Sequence, residues 1–195
     1  MGGASTRPKL ILASRSPRRR ELLAEAGYAF DVLAPSEAAE DCAGASGDPA
    51  QLVAQLARRK ASDVGQRVQR GLIVGCDTVV ECGGEVLGKP WDEHDARRML
   101  ETLRGREHRV LSGLCLWNKP LAPPAVRVET TTLRMDPLSD EQIREYLAGG
   151  QWVGKAGAFG YQDRLGWVHI VRGSPSNVVG LPLELLAEMM AEVLR

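Results

Sequence analysis

Several residue groups in this chain carry side chains suited to chemistry on an anion. At Leu10–Leu23, LILASRSPRRRELL, an apolar run passes through Ser14 and Ser16 into a helix whose first turn holds Arg18, Arg19 and Arg20. A helix start concentrates unpaired N–H groups and the positive end of the macrodipole, so each cation there costs roughly a few tenths of a kcal/mol or more. A phosphate reverses that balance, because the N–H groups, the dipole and the guanidinium forks then act on one ligand. The alternative is a surface turn whose arginines spread into solvent. Asp77 is a second signal, since it sits inside LIVGCDTVV, the most apolar run of the chain. An unpaired buried carboxylate costs several kcal/mol, so Asp77 needs hydrogen bonds, a cation or a metal, unless it caps a strand end.

Cations and amides that could join Asp77 lie elsewhere in the chain. Gly83-Gly84 is a hairpin signal, and the returning Val86–Leu87 delivers Gly88-Lys89-Pro90, which brings Lys89 back toward Asp77. Lys60 falls in the apolar stripe of a helix, where it either snorkels past the core edge or reaches into a polar cleft. The polar loop PSEAAEDCAGASGDP carries Glu37, Glu40 and Asp41, either as a source of a carboxylate ligand or as a solvated acidic loop. Residues 152–167 are glycine-rich with one side-chain amide, Gln162, and suit either a backbone that approaches a ligand closely or a flexible connector.

The elements that position these groups follow from caps and periodicity. Ser16 caps and Pro17 opens a helix whose apolar face is Leu22, Leu23 and Ala26, ending at Gly27. Phe30–Leu33 reads as a strand. Asp48-Pro49 starts a helix with Leu52, Val53, Leu56, Ala57 and Val64 at helical spacing up to Gly65. Leu72–Val80 reads as a central strand. Asp92 caps a helix bearing Ala96, Met99, Leu100 and Leu103. Val110–Trp117 and Ala125–Met135 form an expected antiparallel pair across a turn at Lys119–Pro124, and Ser139 with Gln142 makes a capping box. A strand at Val168–Val171, a turn at Gly173–Asn177 and a helix from Pro182 close the chain.

The 195 residues fit a single domain over 1–195, with 44% hydrophobic and 26% charged residues as in a soluble globular protein. No apolar run reaches the length of a membrane span, and the N-terminal residues lack the apolar segment of a secretory signal, so a cytoplasmic protein without a membrane partner is expected. The formal net charge of zero argues against a nucleic-acid partner, whose binders carry an excess or a stripe of basic residues. Four scattered cysteines, Cys42, Cys76, Cys82 and Cys115, read as free thiols. His94, His108 and His169 form no ligand pair, so any metal is expected on oxygen ligands.

SRSPRRRELL, GCDTVV, GEVLGKP, GREHRVLSG, GKAGAFGYQD and SNVVGLPLELL, in this order, together resemble the Maf family of nucleoside triphosphate pyrophosphatases across nearly the whole chain. The resemblance implies an α/β fold, a mixed twisted sheet flanked by helices and related to the inosine triphosphate pyrophosphatases, with a nucleotide cleft and commonly a homodimer. It places Ser14, Arg18, Arg19, Lys60 and Lys89 at substrate-binding positions and Asp77 at the proton acceptor. Glu40 is the match for the carboxylate that assists metal or water binding, with Glu37 as the fallback. Arg18, Thr78 and Gln162 match the marks of members acting on dTTP and UTP. A glutamine amide, both donor and acceptor, complements the imide edge of uracil or thymine.

Asp163 stands where the resemblance leads one to expect glycine, and a carboxylate there alters the loop or repels a triphosphate. The implied activity is hydrolysis of dTTP and UTP, with modified pyrimidine triphosphates as further candidates, to the monophosphate and pyrophosphate. The implied cofactor is a divalent cation, magnesium or manganese, held by Glu40 and Asp77. The rival readings are a pyrophosphatase preferring 7-methyl-GTP or purine nucleotides, and a non-catalytic nucleotide-binding regulator of cell division.

Overall fold

Strand β1 (Leu10–Ala13) is buried at every position and leads through Ser14 to α1 (Pro17–Glu25), where the Ser16 hydroxyl accepts from the Arg19 amide as an N-cap. These are coordinates of a computed structural model that describes residues 8–40 and 47–194; Asp41 and Cys42 lie outside the described residues. Leu23 fills the inward side of α1 and Leu22 is half-buried, but Ala26 is exposed, because the helix ends before it and it serves as the C-cap. Next come β2 (Phe30–Val32), α2 (Glu37–Glu40), α3 (Pro49–Gln66), β3 (Gly71–Cys82), β4 (Glu85–Leu87), α4 (Glu93–Leu103), β5 (Glu107–Lys119) and β6 (Ala125–Met135). The chain closes with α5 (Asp140–Ala148), β7 (Val168–Arg172), α6 (Pro175–Val179) and α7 (Leu183–Val193). Two expectations are corrected. The acidic loop contains the single-turn α2, and the turn after β7 is the short helix α6, capped by Ser174.

The strands form one mixed sheet in the order β2-β1-β3-β5-β6-β7, with β4 also pairing with β3. β1 runs parallel to β2 and β3, and β3, β5, β6 and β7 run antiparallel to one another in turn. Strand side chains alternate between faces. Leu10, Leu12, Leu72, Val74 and Cys76 therefore pack with Leu23 of α1 and Leu185, Leu186 and Met189 of α7. Ile11, Ala13 and Ile73 pack on the opposite face against Ala57, Ala61 and Val64 of α3. Farther along the first face, Val80, Val110 and Leu133 build a second lobe with α4 and α5.

Two glycines set how closely α3 rides on the sheet. A β-carbon at Gly75 would fall 2.9 Å from the Ala61 amide nitrogen and nearer still to the Ala57 carbonyl oxygen. One at Gly113 would fall 2.7 Å from the Ala54 nitrogen and nearer to the Val53 carbonyl. Backbone packs directly on backbone here, which fixes the depth of Lys60, less than one turn beyond Ala57 on α3.

Candidate active site

The register of β3 locates the site. Its first half pairs with β1 as far as Ala13 opposite Gly75, and pairing with β4 on that same edge begins only at Val80 opposite Leu87. Residues 76–79 pair with β5 alone. Asp77 and Thr78 are adjacent strand residues and project to opposite faces, so an unbroken sheet would separate them. The break in the edge lets both line one cavity of about 340 Å³, together with Ser14, Arg18, Arg19, Glu40, Lys60, Lys89 and Gln162. All the residues expected at the site from the sequence line this cavity except the fallback Glu37.

On the α3 side, Lys60 is 3% exposed and does not snorkel. Its ammonium donates to Asp77 Oδ1 at 2.7 Å and lies 3.2 Å from Glu40 Oε2. A buried ammonium needs such partners, and here two carboxylates supply them. Glu37, on the same turn of α2, points outward: its side chain is 93% exposed and stands 3.9 Å from Arg15. Lys89 stands exposed on the cavity wall. Desolvation there lowers its pKa; Glu40 pulls the other way, and Lys60 and Arg19 add to the depression.

On the α1 side, the buried Arg19 guanidinium is held by three partners. It donates from Nε to the Gly180 carbonyl at 2.7 Å, from Nη1 to Ser14 Oγ at 3.3 Å and from Nη2 to Thr78 Oγ1 at 3.1 Å. Thr78 Oγ1 also shares a 2.8 Å hydrogen bond with Ser112 Oγ, so β5 braces the arrangement from behind. Arg18 reaches over the cavity and donates to the Gly154 carbonyl at 2.9 Å, and burial, followed by repulsion from Arg19, lowers its pKa. Arg20 is exposed. Arg18, Arg19 and Lys89 thus face a lysine-bridged carboxylate pair across one opening, an arrangement that can hold a polyanion and deprotonate or orient a water at its side.

The glycine-rich segment forms the remaining wall. The Gly157 N–H donates to the Gly88 carbonyl at 2.9 Å, which ties this segment to the turn carrying Lys89. Lys155 forms an ion pair with Asp163, both side chains 12% exposed, and the Tyr146 hydroxyl donates to the same Asp163 oxygen at 3.4 Å. The charge of Asp163 is thus compensated within the loop. Sequence reasoning missed Lys155, Ser112 and this pair; an acidic residue in place of an expected glycine, eight positions after a lysine, was the available signal.

Glu40 and Asp77, both in contact with the Lys60 ammonium, are the carboxylates that line the cavity and the oxygen donors a divalent cation would use there. No group of three or more His, Cys, Asp or Glu able to hold a metal occurs among the described residues. That set suits magnesium, which keeps several waters and binds through one or two carboxylates plus substrate phosphates.

A family model described as Maf-like protein matches residues 9–193. A protein of Rhodopirellula baltica named dTTP/UTP pyrophosphatase is 48% identical over 192 residues, covering 97% of this chain and 84% of that protein. One of the same name from Thermococcus gammatolerans is 46% identical, covering 95% of this chain and 98% of its own. Among solved structures, the Ham1 protein of Staphylococcus aureus superimposes with a TM-score of 0.53 at 11% identity, covering 94% of this chain and 98% of that one. A HAM1 protein from Coxiella burnetii gives 0.51 at 15% identity, covering 95% and 99%. At those identities the likeness establishes a shared fold.

Proposed function

The chain belongs to the Maf-like protein family, and on that premise we propose that it is a nucleoside triphosphate pyrophosphatase that hydrolyses dTTP and UTP to the monophosphate and pyrophosphate. The observation that carries the reading is Lys60 bridging Asp77 and Glu40 in the same cavity as Arg18, Arg19 and Lys89. In it, Asp77 accepts the proton of the attacking water, and Lys60 holds that carboxylate in place. Arg19, Lys89 and Ser14 hold the phosphates and stabilise charge on the leaving pyrophosphate, the larger part of phosphoryl-transfer catalysis. Thr78 acts through Arg19, whose fork it anchors. Gln162 reads the base.

Glu40 and Asp77 are the residues that would hold magnesium or manganese. Such a cation, when bound, neutralises phosphate charge and makes the anhydride more electrophilic. Three buried free thiols, Cys76, Cys82 and Cys115, support a reducing, cytoplasmic setting, and no helix among the described residues is long and apolar enough to cross a membrane. The family resemblance supports a homodimer, which light scattering of the purified protein tests. Acceptance of modified pyrimidine triphosphates would make the enzyme a sanitiser of the nucleotide pool. Pyrophosphate release measured over canonical, 7-methylated and modified triphosphates, with and without magnesium or manganese, decides the activity. Fastest release from dTTP and UTP is the expected result, and a purine preference or no release at all refutes it.

A further inference from the structure

Gly160 is the point where the glycine-rich wall closes most tightly. A β-carbon there would lie 2.6 Å from Lys155 Nζ, 2.7 Å from Asp163 Oδ2 and 2.8 Å from Gln162 Nε2, so the two nitrogens are neighbours over one bare backbone position. Lys155 and Gln162 both line the cavity, whereas Asp163 is not part of its wall and sits behind the ammonium it holds. An ammonium has three N–H donors, and the ion pair with Asp163 engages one of them. The other two are available to a ligand on the cavity side. The neighbour of Lys155 over Gly160 is the amide read here as the base contact.

A uracil or thymine differs from cytosine at one edge, where a 4-carbonyl oxygen with two lone pairs replaces a 4-amino group and N3 carries a proton. Two adjacent N–H donors match a carbonyl with two lone pairs and mismatch an amino group, which presents its own hydrogens. We infer that Lys155, held in place by Asp163, is a specificity-determining residue of this site, donating together with the Gln162 amide to the 4-carbonyl oxygen of the pyrimidine. The carboxylate at 163 positions that donor. The inference rests on the pyrimidine triphosphate reading above, and it assigns to Asp163 the opposite of a repulsive role.

The test compares kcat/KM for UTP and CTP in the wild type, in Lys155→Met, and in the exchange variant Lys155→Asp/Asp163→Lys. The methionine keeps the apolar stem and removes the donor. The UTP-to-CTP preference is expected to fall tenfold or more in Lys155→Met, through a raised KM for UTP with kcat within threefold of wild type. The exchange variant restores an ion pair with its carboxylate on the cavity side. If Lys155 only balances Asp163, the exchange returns both the thermal midpoint and the UTP KM to wild-type values, and the inference is overturned. The expected result is a recovered midpoint with the KM still raised at least tenfold. An unchanged UTP-to-CTP ratio in Lys155→Met also overturns it, and where that variant does not fold, the KM of the exchange variant decides. A wild type that releases no pyrophosphate from any triphosphate defeats instead the activity on which the inference rests.

Discussion

His108 offers the clearest quantitative test of how this fold handles charge. The imidazole is 3% exposed, packs edge-on against Phe159 with ring centroids 5.4 Å apart, and has no hydrogen-bond partner at Nε2 among the described residues. Burial lowers its pKa from 6.5 to about 4, opposed weakly by the Arg106 carbonyl near Nδ1 and by Glu81. The unfolded chain therefore binds a proton between pH 6.5 and pH 4 that the folded chain refuses. Stability from this group is complete above about pH 6.5 and declines as pH falls toward about 4, to a total of roughly 3 kcal/mol. Between pH 7 and pH 5 the loss is about 2 kcal/mol.

Replacing the ring by an apolar side chain in His108→Leu removes this linkage. Urea unfolding followed by tryptophan fluorescence at pH 7 and pH 5 measures it: the wild type should lose about 2 kcal/mol more over that interval than the variant. The other two histidines are common to both proteins and cancel in the difference. Equal losses in the two proteins would refute the argument that His108 is held neutral by burial. Phe159 lines the candidate-site cavity, so the same protonation should reach the site through a wall residue.

Three further outcomes follow from the site. Asp77→Asn keeps the shape and leaves Lys60 within 3.2 Å of Glu40, so the circular dichroism spectrum should be unchanged while pyrophosphate release falls by about 10³-fold; full activity would sink the role of Asp77. Gln162→Ala should reduce the dTTP-to-GTP preference by about tenfold or more while turnover of dTTP changes less, as competing-substrate assays would reveal. Gly113→Ala forces α3 off the sheet, with an expected loss of about 1–3 kcal/mol in urea unfolding together with a lowered kcat, because Lys60 moves with the helix. Unaltered kcat in a destabilised Gly113→Ala would show that the helix depth does not set the Lys60 geometry.

What was readable in the sequence was what local rules or sharp contrasts encode. Ser16-Pro17, Asp48-Pro49 and the Ser139/Gln142 box announced their helices because capping is settled within four residues. Asp77 and Lys60 stood out as polar residues among apolar neighbours, and the structure joins them. The single-turn α2 and the five-residue α6 are too short to show a period, so they passed as loop and turn. The reach of Glu40 rather than Glu37 depends on the rotation of that one turn. Nothing in the β3 sequence marks where β1 stops pairing and β4 begins, since an edge is a property of neighbours. The Lys155–Asp163 pair is hidden for the same reason, because the loop path selects the partner.

The interrupted edge of β3 also governs how the molecule holds together. In an unbroken sheet, backbone ladders would join the half carrying β1, α1 and α7 to the half carrying β4, α4 and α5 along that edge. Here the rungs between Gly75 and Val80 are missing, and the Arg18 side chain spans the gap instead, from α1 to the Gly154 carbonyl beyond α5. On the proposed function, a nucleotide filling this cavity bridges the two halves, and local opening of residues 76–79 is expected to become rarer, read as slower amide hydrogen exchange there.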